Sequence, residues 1–159
     1  VGPAGRVIGV DMTPRMVSLA RTNAKKLGTT NVVFKQGHIE QLPQDETTVD
    51  LVLSNGVIAL SEWKHMVFSE MYRILKPGGR FVISDVVTTS PLPDTVRDST
   101  GQWVECVGGA AIKGDYLATI ESAGFTDIEV LNESPGPEGH EEWRSSLRGL
   151  TISGCKPAA

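Results

Sequence analysis

A short apolar run that ends on an acidic residue lies near the start of the chain, Arg6-Val7-Ile8-Gly9-Val10-Asp11-Met12. Its β-branched residues are typical of a buried parallel strand, and the Thr13-Pro14 pair after it is typical of a helix start. In open α/β sheets, ligands bind outside the carboxyl ends of the strands, where an acidic side chain can accept hydrogen bonds from both ribose hydroxyls. Asp11 is therefore a candidate nucleotide contact. The alternative is that Asp11 only caps the helix that follows.

Strand and helix patterns alternate along the rest of the chain, separated by glycine and proline breaks. The predicted strands cover residues 31–36, 49–54, 80–87, 126–131 and 150–155, and the predicted helices cover residues 14–27, 63–75, 93–107, 115–123 and 141–147. This alternation predicts an α/β fold with a doubly wound, mostly parallel sheet. A loop over residues 133–139, rather than a long crossover, precedes the last strand, which predicts an antiparallel pair at one edge of the sheet.

The spacing of apolar residues predicts which face of each helix is buried, and the ends of the strands predict which residues lie at the edge of the sheet. The first helix is expected to bury Met16, Ala20, Ala24 and Leu27, and the second Val67, Met71, Ile74 and Leu75. The strand over residues 31–36 closes on Gly37-His38-Ile39. If it neighbours the first strand, His38 and Ile39 lie beside Asp11 at the same edge of the sheet.

Composition limits the classes of protein to consider. The 159 residues, 40% apolar and 21% charged, suit a single domain over residues 1–159. A net charge of -4 with scattered basic residues argues against a nucleic-acid partner. No apolar run approaches the roughly 20 residues of a membrane span, and no secretory signal is visible. The two cysteines, Cys106 and Cys155, form no disulfide framework or metal-site pattern, so a cytoplasmic location is the expectation.

Four motifs together carry a family resemblance: residues 9–14, Gly-Val-Asp-Met-Thr-Pro; 37–40, Gly-His-Ile-Glu; 50–55, Asp-Leu-Val-Leu-Ser-Asn; and 75–80, Leu-Lys-Pro-Gly-Gly-Arg. They resemble the successive motifs of class I S-adenosylmethionine-dependent methyltransferases, which have a Rossmann-like fold. Within that class, residues 57–61, 83–87 and above all 103–110, Trp-Val-Glu-Cys-Val-Gly-Gly-Ala, resemble arsenite methyltransferases. Those enzymes pass a methyl group from the cofactor to trivalent arsenic held by cysteine thiolates.

The resemblance implies an adenosine site on the first two strands. Asp11 would hold the ribose hydroxyls, Met12 would pack on the adenine, and Ile39 would take the other face of the ring. His38 stands where the family usually has an acid that accepts from the adenine amino group. A neutral imidazole can accept one such hydrogen bond and loses that capacity once protonated.

The resemblance also implies a methyl-transfer site farther along the chain. Ser54 and Asn55 would border the cleft, and Cys106 would be the catalytic residue and an arsenic ligand, because a soft thiolate suits a soft metalloid. The alternative for Cys106 is a packed thiol at a helix end. Asp85 could line the cleft or cap the next segment. Cys155, inside the last predicted strand, is expected to be a small buried residue.

One part of the family pattern is not found in these 159 residues. The family's Gly-rich loop follows a first, central strand that should lie upstream of Arg6, between the strands at 6–12 and 49–54, and only five residues precede Arg6. The expected fold thus has its first central strand missing from the chain. Either the chain is a fragment, or another copy supplies the strand, or the two open strand edges pair directly. Cofactor binding by the chain alone is expected to be impaired or absent.

The leading functional hypothesis is an S-adenosylmethionine-dependent methyltransferase of the arsenite type with a small-molecule substrate. One alternative is a methyltransferase acting on carbon or oxygen of a quinone or another metabolite. A hypothesis of a different class is a non-catalytic module that forms a homodimer through its unpaired strand edges.

Overall fold

A computed structural model describes residues 1–136 and 139–158 of the chain. Its strands are β1 (Val7–Asp11), β2 (Val32–Gln36), β3 (Val49–Asn55), β4 (Leu75–Thr88), β5 (Thr126–Pro135) and β6 (Leu147–Cys155). Its α-helices are α1 (Pro14–Lys26), α2 (Lys64–Ile74), α3 (Asp94–Arg97), α4 (Thr100–Val104) and α5 (Lys113–Ser122), and 3-10 helices cover Ile58–Leu60 and Glu142–Ser146. The chain divides into two compact units, an N-terminal unit over residues 1–45 and a C-terminal unit over residues 46–159. That the whole chain forms one domain stays a prediction.

The N-terminal unit is a two-stranded parallel sheet, β1 with β2, with α1 packed against it. Helix α1 begins after Thr13 and ends at Lys26, two residues before Gly28, whose φ of +66° is a conformation that glycine adopts without strain. These bounds confirm the predicted helix. Its predicted buried face is only partly right, because Val17 is the buried residue, whereas Met16 and Leu27 are exposed. Val17 shares its side of the helix with the half-buried alanines at 20 and 24.

The C-terminal unit contains a four-stranded sheet in the order β3-β4-β6-β5. Strands β3 and β4 are parallel, and β6 is antiparallel to both β4 and β5. The α/β fold with parallel strands and an antiparallel pair at one edge is confirmed. The structure adds that the last strand in the chain lies inside the sheet, between β4 and β5. The apolar core of the C-terminal unit includes Phe68, Phe81, Ile83, Tyr116, Leu150 and Ile152.

The first and third strands belong to different sheets. Strand β1 pairs with β2, and β3 pairs with β4, so in the described residues β1 and β3 do not pair with each other. The alternative in which these two edges pair directly is therefore wrong. On β3, Leu51 and Leu53 are 47% and 70% exposed, which is unusual for apolar residues of a strand in this type of sheet. That a further strand belongs between β1 and β3 stays a prediction.

The helices predicted over 93–107 and 63–75 have different bounds in the structure. The helix predicted over 93–107 is two short helices, α3 and α4, because Ser99 starts a new helix with its Oγ accepting from the Gln102 amide at 3.5 Å. The helix predicted over 63–75 ends at Ile74, and Leu75 passes directly into β4. Leu75 is buried as predicted, but as a strand residue.

The strand β5 continues to Pro135, into the predicted loop, and residues 137 and 138 of that loop lie outside the described residues. The 3-10 helix at Ile58–Leu60 had no counterpart in the sequence predictions. None of the helices formed by the described residues has both the length and the apolar character that crossing a bilayer requires.

Candidate functional site

In the N-terminal unit, the residues around Asp11 and His38 meet at the carboxyl edge of the small sheet. The parallel register pairs Asp11 with Gln36, and the Gly37 amide donates to the Asp11 carbonyl oxygen at 3.1 Å. His38 follows directly and is exposed. The predicted neighbourhood of these two strand ends is confirmed, because it required only that β1 and β2 pair side by side.

The Asp11 side chain caps the turn into α1. Its Oδ1 accepts a hydrogen bond from the Thr13 amide at 2.8 Å, and the Thr13 side chain makes no cap bond of its own. The capping alternative is thus observed. It uses one carboxylate oxygen, and within the part of the chain that the structure describes, Oδ2 has no hydrogen-bond partner. Asp11 is exposed, so that oxygen is available to a ligand.

Two apolar side chains accompany this carboxylate. Met12, immediately after Asp11, is 62% exposed, and Ile39 is half-buried. An exposed apolar side chain beside a free carboxylate oxygen fits an adenosine, since the base is a flat apolar ring and the ribose presents two hydroxyl donors. The residues of this edge therefore fit the nucleoside part of the cofactor that the sequence motifs imply.

In the C-terminal unit, a buried carboxylate joins three segments. Asp85 lies near the carboxyl end of β4 and is 4% exposed. Its Oδ2 accepts from the Ala59 amide at 2.8 Å and from the Tyr116 hydroxyl at 3.4 Å, and its Oδ1 accepts from the Val86 amide at 3.0 Å. Asp85 therefore caps the 3-10 helix at 58–60, a segment 26 residues earlier in the chain. The two alternatives that the sequence offered for Asp85 were lining the cleft and capping the next segment, and neither includes this bond to an earlier segment.

The charge on Asp85 is offset locally. The pKa of Asp85 is raised by its burial, and the hydrogen bonds from the Val86 and Ala59 amides and the nearby Lys64 ammonium offset only part of that rise. Lys64 donates to the Ser61 carbonyl oxygen at 2.7 Å, and burial lowers its pKa. Burial, and then the Asp85 carboxylate, raise the pKa of Tyr116, so its hydroxyl stays protonated and donates.

Cys106 lies in a tight loop after α4, and its thiol is directed to the end of β3. Its φ of +62° falls in the left-handed region, which is uncommon for a residue with a side chain. The half-buried Sγ donates to the Gly56 carbonyl oxygen at 3.2 Å. Gly56 follows Ser54 and Asn55 directly, so the structure brings Cys106 to the strand end that carries them. Burial, and secondly Asp85, raise the pKa of this thiol, which favours the protonated donor form.

The segment at residues 56–61, called the turn segment below, packs against residues 105–109, the thiol loop. A Cβ added to Gly109 would overlap the Ala59 carbonyl oxygen, and one added to Gly108 would lie 2.7 Å from Cδ1 of the Trp103 ring. The Cys106 amide also donates to the Trp103 carbonyl oxygen at 2.9 Å. The position of the thiol loop therefore depends on close backbone packing that glycine permits.

Cys155 takes no part in this arrangement. It pairs with Arg80 in the β4–β6 ladder, whereas Asp85 pairs with Leu150. Five residues of extended strand separate the two positions by about 16 Å. Within the described residues, no group of three or more histidine, cysteine or acidic side chains is arranged to hold a metal ion.

A family model described as a methyltransferase domain matches residues 1–124. The chain belongs to this family. Residues 1–124 include Asp11, His38, Asp85, Cys106 and Tyr116, so the match covers the candidate site residues of both units.

Relatives of this methyltransferase domain can be compared over most of its length. An arsenite methyltransferase of Halobacterium salinarum is 42% identical over 99% of the chain, which covers 42% of that protein. An arsenite methyltransferase of Aquipseudomonas alcaligenes is 38% identical over 85% of the chain and is covered to 41%. The crystal structure of an arsenic(III) S-adenosylmethionine methyltransferase from Chlamydomonas reinhardtii matches with a TM-score of 0.84 and 35% identity, over 100% of this chain and 57% of that one. The chain spans less than half the length of these two curated relatives.

Replacing Gly109 tests the packing of the turn segment against the thiol loop. We expect Gly109→Ala to lower the free energy of unfolding by about 1–3 kcal/mol, because the new methyl group overlaps a backbone oxygen that cannot move freely. Urea unfolding followed by tryptophan fluorescence measures this, since all three tryptophans lie in the C-terminal unit. Gly114→Ala is the matched control, because nothing lies within 4 Å of its added Cβ and alanine favours α5. Equal stabilities of the two variants would contradict the packing described.

Proposed function

We propose that this methyltransferase domain serves methyl transfer from S-adenosylmethionine to arsenite or a related soft nucleophile. The observation that carries the proposal is the 42% identity, over 99% of the chain, to an arsenite methyltransferase. The thiol of Cys106 at the carboxyl end of β3 supports it, because a thiol is the group expected to hold trivalent arsenic. When bound, the cofactor supplies an electrophilic methyl group on its sulfonium.

For the adenosine part, we propose roles for four residues of the N-terminal unit. The free Oδ2 of Asp11 accepts from the ribose hydroxyls while Oδ1 keeps its bond to the Thr13 amide. Met12 and Ile39 supply apolar contacts to the two faces of the base. His38, exposed after β2, accepts from the adenine amino group in its neutral form.

For the acceptor, we propose that Cys106 binds arsenic through sulfur. The thiol displaces one hydroxyl of arsenous acid: an arsenic–sulfur bond forms, an arsenic–oxygen bond breaks, and the thiol proton leaves with the hydroxyl as water. The step needs no base in the protein, which suits a thiol whose pKa is raised. One thiol leaves the other arsenic ligands to be supplied from elsewhere.

Ser54 and Asn55 are proposed to border the methyl-transfer cleft. Both lie at the carboxyl end of β3, immediately before the carbonyl group that the Cys106 thiol contacts. Transfer of a methyl group from a sulfonium to a soft nucleophile depends mainly on alignment and exclusion of water, with little help from an acid or base. Residues that hold the acceptor in place are therefore sufficient for this part of the site.

Substitution of Asp11 separates capping from ligand binding. We expect the 159-residue chain to bind S-adenosylhomocysteine more weakly than about 10 µM, near -7 kcal/mol, because the family's Gly-rich segment is not among its residues. Asp11→Asn keeps one oxygen for the Thr13 amide but presents an NH2 donor to the ribose hydroxyls in place of an acceptor. The affinity of this variant for S-adenosylhomocysteine should therefore fall at least about tenfold, while its melting temperature stays unchanged. Asp11→Ala should lose both affinity and about 0.5–2 kcal/mol of stability.

An NMR titration with S-adenosylhomocysteine at millimolar concentrations, followed at the Met12 and Thr13 amides, measures these affinities. Asp50→Asn, an exposed acid paired with Lys76, is the control and should bind like the parent. Unchanged binding by Asp11→Asn would show that Asp11 is only a cap.

Arsenite protection of Cys106 tests the acceptor. Iodoacetamide labelling of both cysteines is followed by mass spectrometry of the two peptides in one sample. At about ten times the arsenite concentration that gives half-maximal protection, labelling of Cys106 should be slowed about tenfold by mass action, and the labelling rate of Cys155 should be unchanged. In the quinone or metabolite alternative, arsenite protects neither cysteine, and Cys106→Ser leaves the activity intact.

A further inference from the structure

Asp85 has no part in the proposed reaction, although its carboxylate is buried in the same unit as the proposed acceptor site. Its carboxylate connects β4, the turn segment and α5 through the bonds to Val86, Ala59 and Tyr116. The Tyr116 ring is itself fixed, packing edge-to-face on Phe68 with centroids 5.4 Å apart. Burying a carboxylate costs free energy unless its oxygens accept hydrogen bonds. The Asp85 carboxylate therefore stabilises the arrangement of β4, the turn segment and α5 in which its three donors are in place.

The Ala59 amide is the group that depends most on this carboxylate. Ala59 is fully buried, with 0% exposure, so water is not at hand to replace a lost acceptor. A buried amide without an acceptor is destabilised by the full cost of its desolvation. Lys64 also holds the turn segment, through its bond to the Ser61 carbonyl oxygen.

The turn segment in turn contacts the thiol loop at two points. The Gly56 carbonyl oxygen accepts from the Cys106 thiol at 3.2 Å, and the Ala59 carbonyl oxygen lies where a Cβ of Gly109 would be. If the Ala59 amide loses its acceptor, the turn segment shifts and both contacts change. The direction of the thiol thus follows from the position of a segment that Asp85 holds.

We propose that Asp85 is a positioning residue, whose carboxylate fixes the turn segment and thereby the direction of the Cys106 thiol. The carboxylate does not contact the acceptor. The inference rests on the proposed function only for the role it gives to Cys106, because the contacts themselves involve neither arsenic nor cofactor.

Alkylation rates in Asp85 variants test this proposal. In Asp85→Ala, we expect the iodoacetamide rate constant of Cys106 to rise at least about fivefold, the factor that corresponds to one lost hydrogen bond. In Asp85→Asn a single oxygen must serve the Ala59 and Val86 amides, which the two carboxylate oxygens serve in the parent, so a rise of about twofold is expected. Asp50→Asn, at an exposed position on β3, should leave the rate unchanged.

Cys155 in the same sample separates positioning from general loss of structure. It lies in the β4–β6 ladder, so unfolding of the sheet would raise its rate as well. Both variants remove the Asp85 charge that contributes to raising the pKa of the Cys106 thiol, so the rate difference between them reports the lost hydrogen bonds. A Cys106 rate in Asp85→Ala at least about twofold above that in Asp85→Asn, with Cys155 unchanged, supports the proposal. Equal Cys106 rates in Asp85→Ala and Asp85→Asn, or an equal rise at both cysteines, overturn it. If Asp85→Ala does not fold by circular dichroism, hydrogen exchange of the Ala59 amide in Asp85→Asn decides: faster exchange than in the parent supports the proposal, and an unchanged rate overturns it. Since no arsenic is present, a failure of the arsenite proposal is seen separately, in the protection measurement.

Discussion

The hydrogen bond from the Ala59 amide to the buried Asp85 carboxylate is the interaction on which the C-terminal site depends. It joins the end of β4 to the turn segment, and the turn segment carries the oxygen that the Cys106 thiol contacts. A buried carboxylate would be unfavourable alone, but three hydrogen-bond donors and the Lys64 ammonium offset its desolvation. The thiol loop, with its left-handed cysteine and closely packed glycines, can then form against a fixed surface.

Both units place their candidate binding groups by the same means. Parallel pairing brings the carboxyl ends of β1 and β2 to one edge, with Asp11 and His38 adjacent, and in the other unit brings the ends of β3 and β4 together. Ser54 and Asn55 therefore lie in register with Ile83 and Ser84, immediately before Asp85. The side chains at these ends differ, and so do the ligands that we propose for them: a nucleoside at one edge and a soft metalloid at the other.

The features that could be predicted from the sequence are those set by short stretches of chain. The strand ending on Asp11, the start of α1 at Thr13-Pro14 and the antiparallel pair after a short loop follow from β-branched runs, capping residues and loop length. The predicted buried face of α1 was partly wrong, because Met16 and Val17 lie at opposite borders of one apolar face, and only the packing against the sheet shows that Val17 is the buried one. The break at Ser99 was missed because a serine inside a helical pattern fits either a cap or an exposed position.

Long-range features could not be predicted. Nothing near Asp85 in the sequence indicates that it bonds an amide 26 residues away, and nothing near residues 147–155 indicates that β6 lies between β4 and β5. An acidic residue inside the apolar run 83–87 was the one available signal, since such residues need partners when buried. The positive φ of Cys106 likewise depends on the contact with Gly56, which only the folded chain provides.

Amide hydrogen exchange of Ala59 in the unaltered chain tests the central interaction most directly. If the Asp85 carboxylate holds this amide in the folded protein, the amide should exchange as slowly as that of Ile83, in the middle of β4. Exchange of the Ala59 amide at the rate of an unstructured peptide, while Ile83 stays protected, would contradict this account of the site.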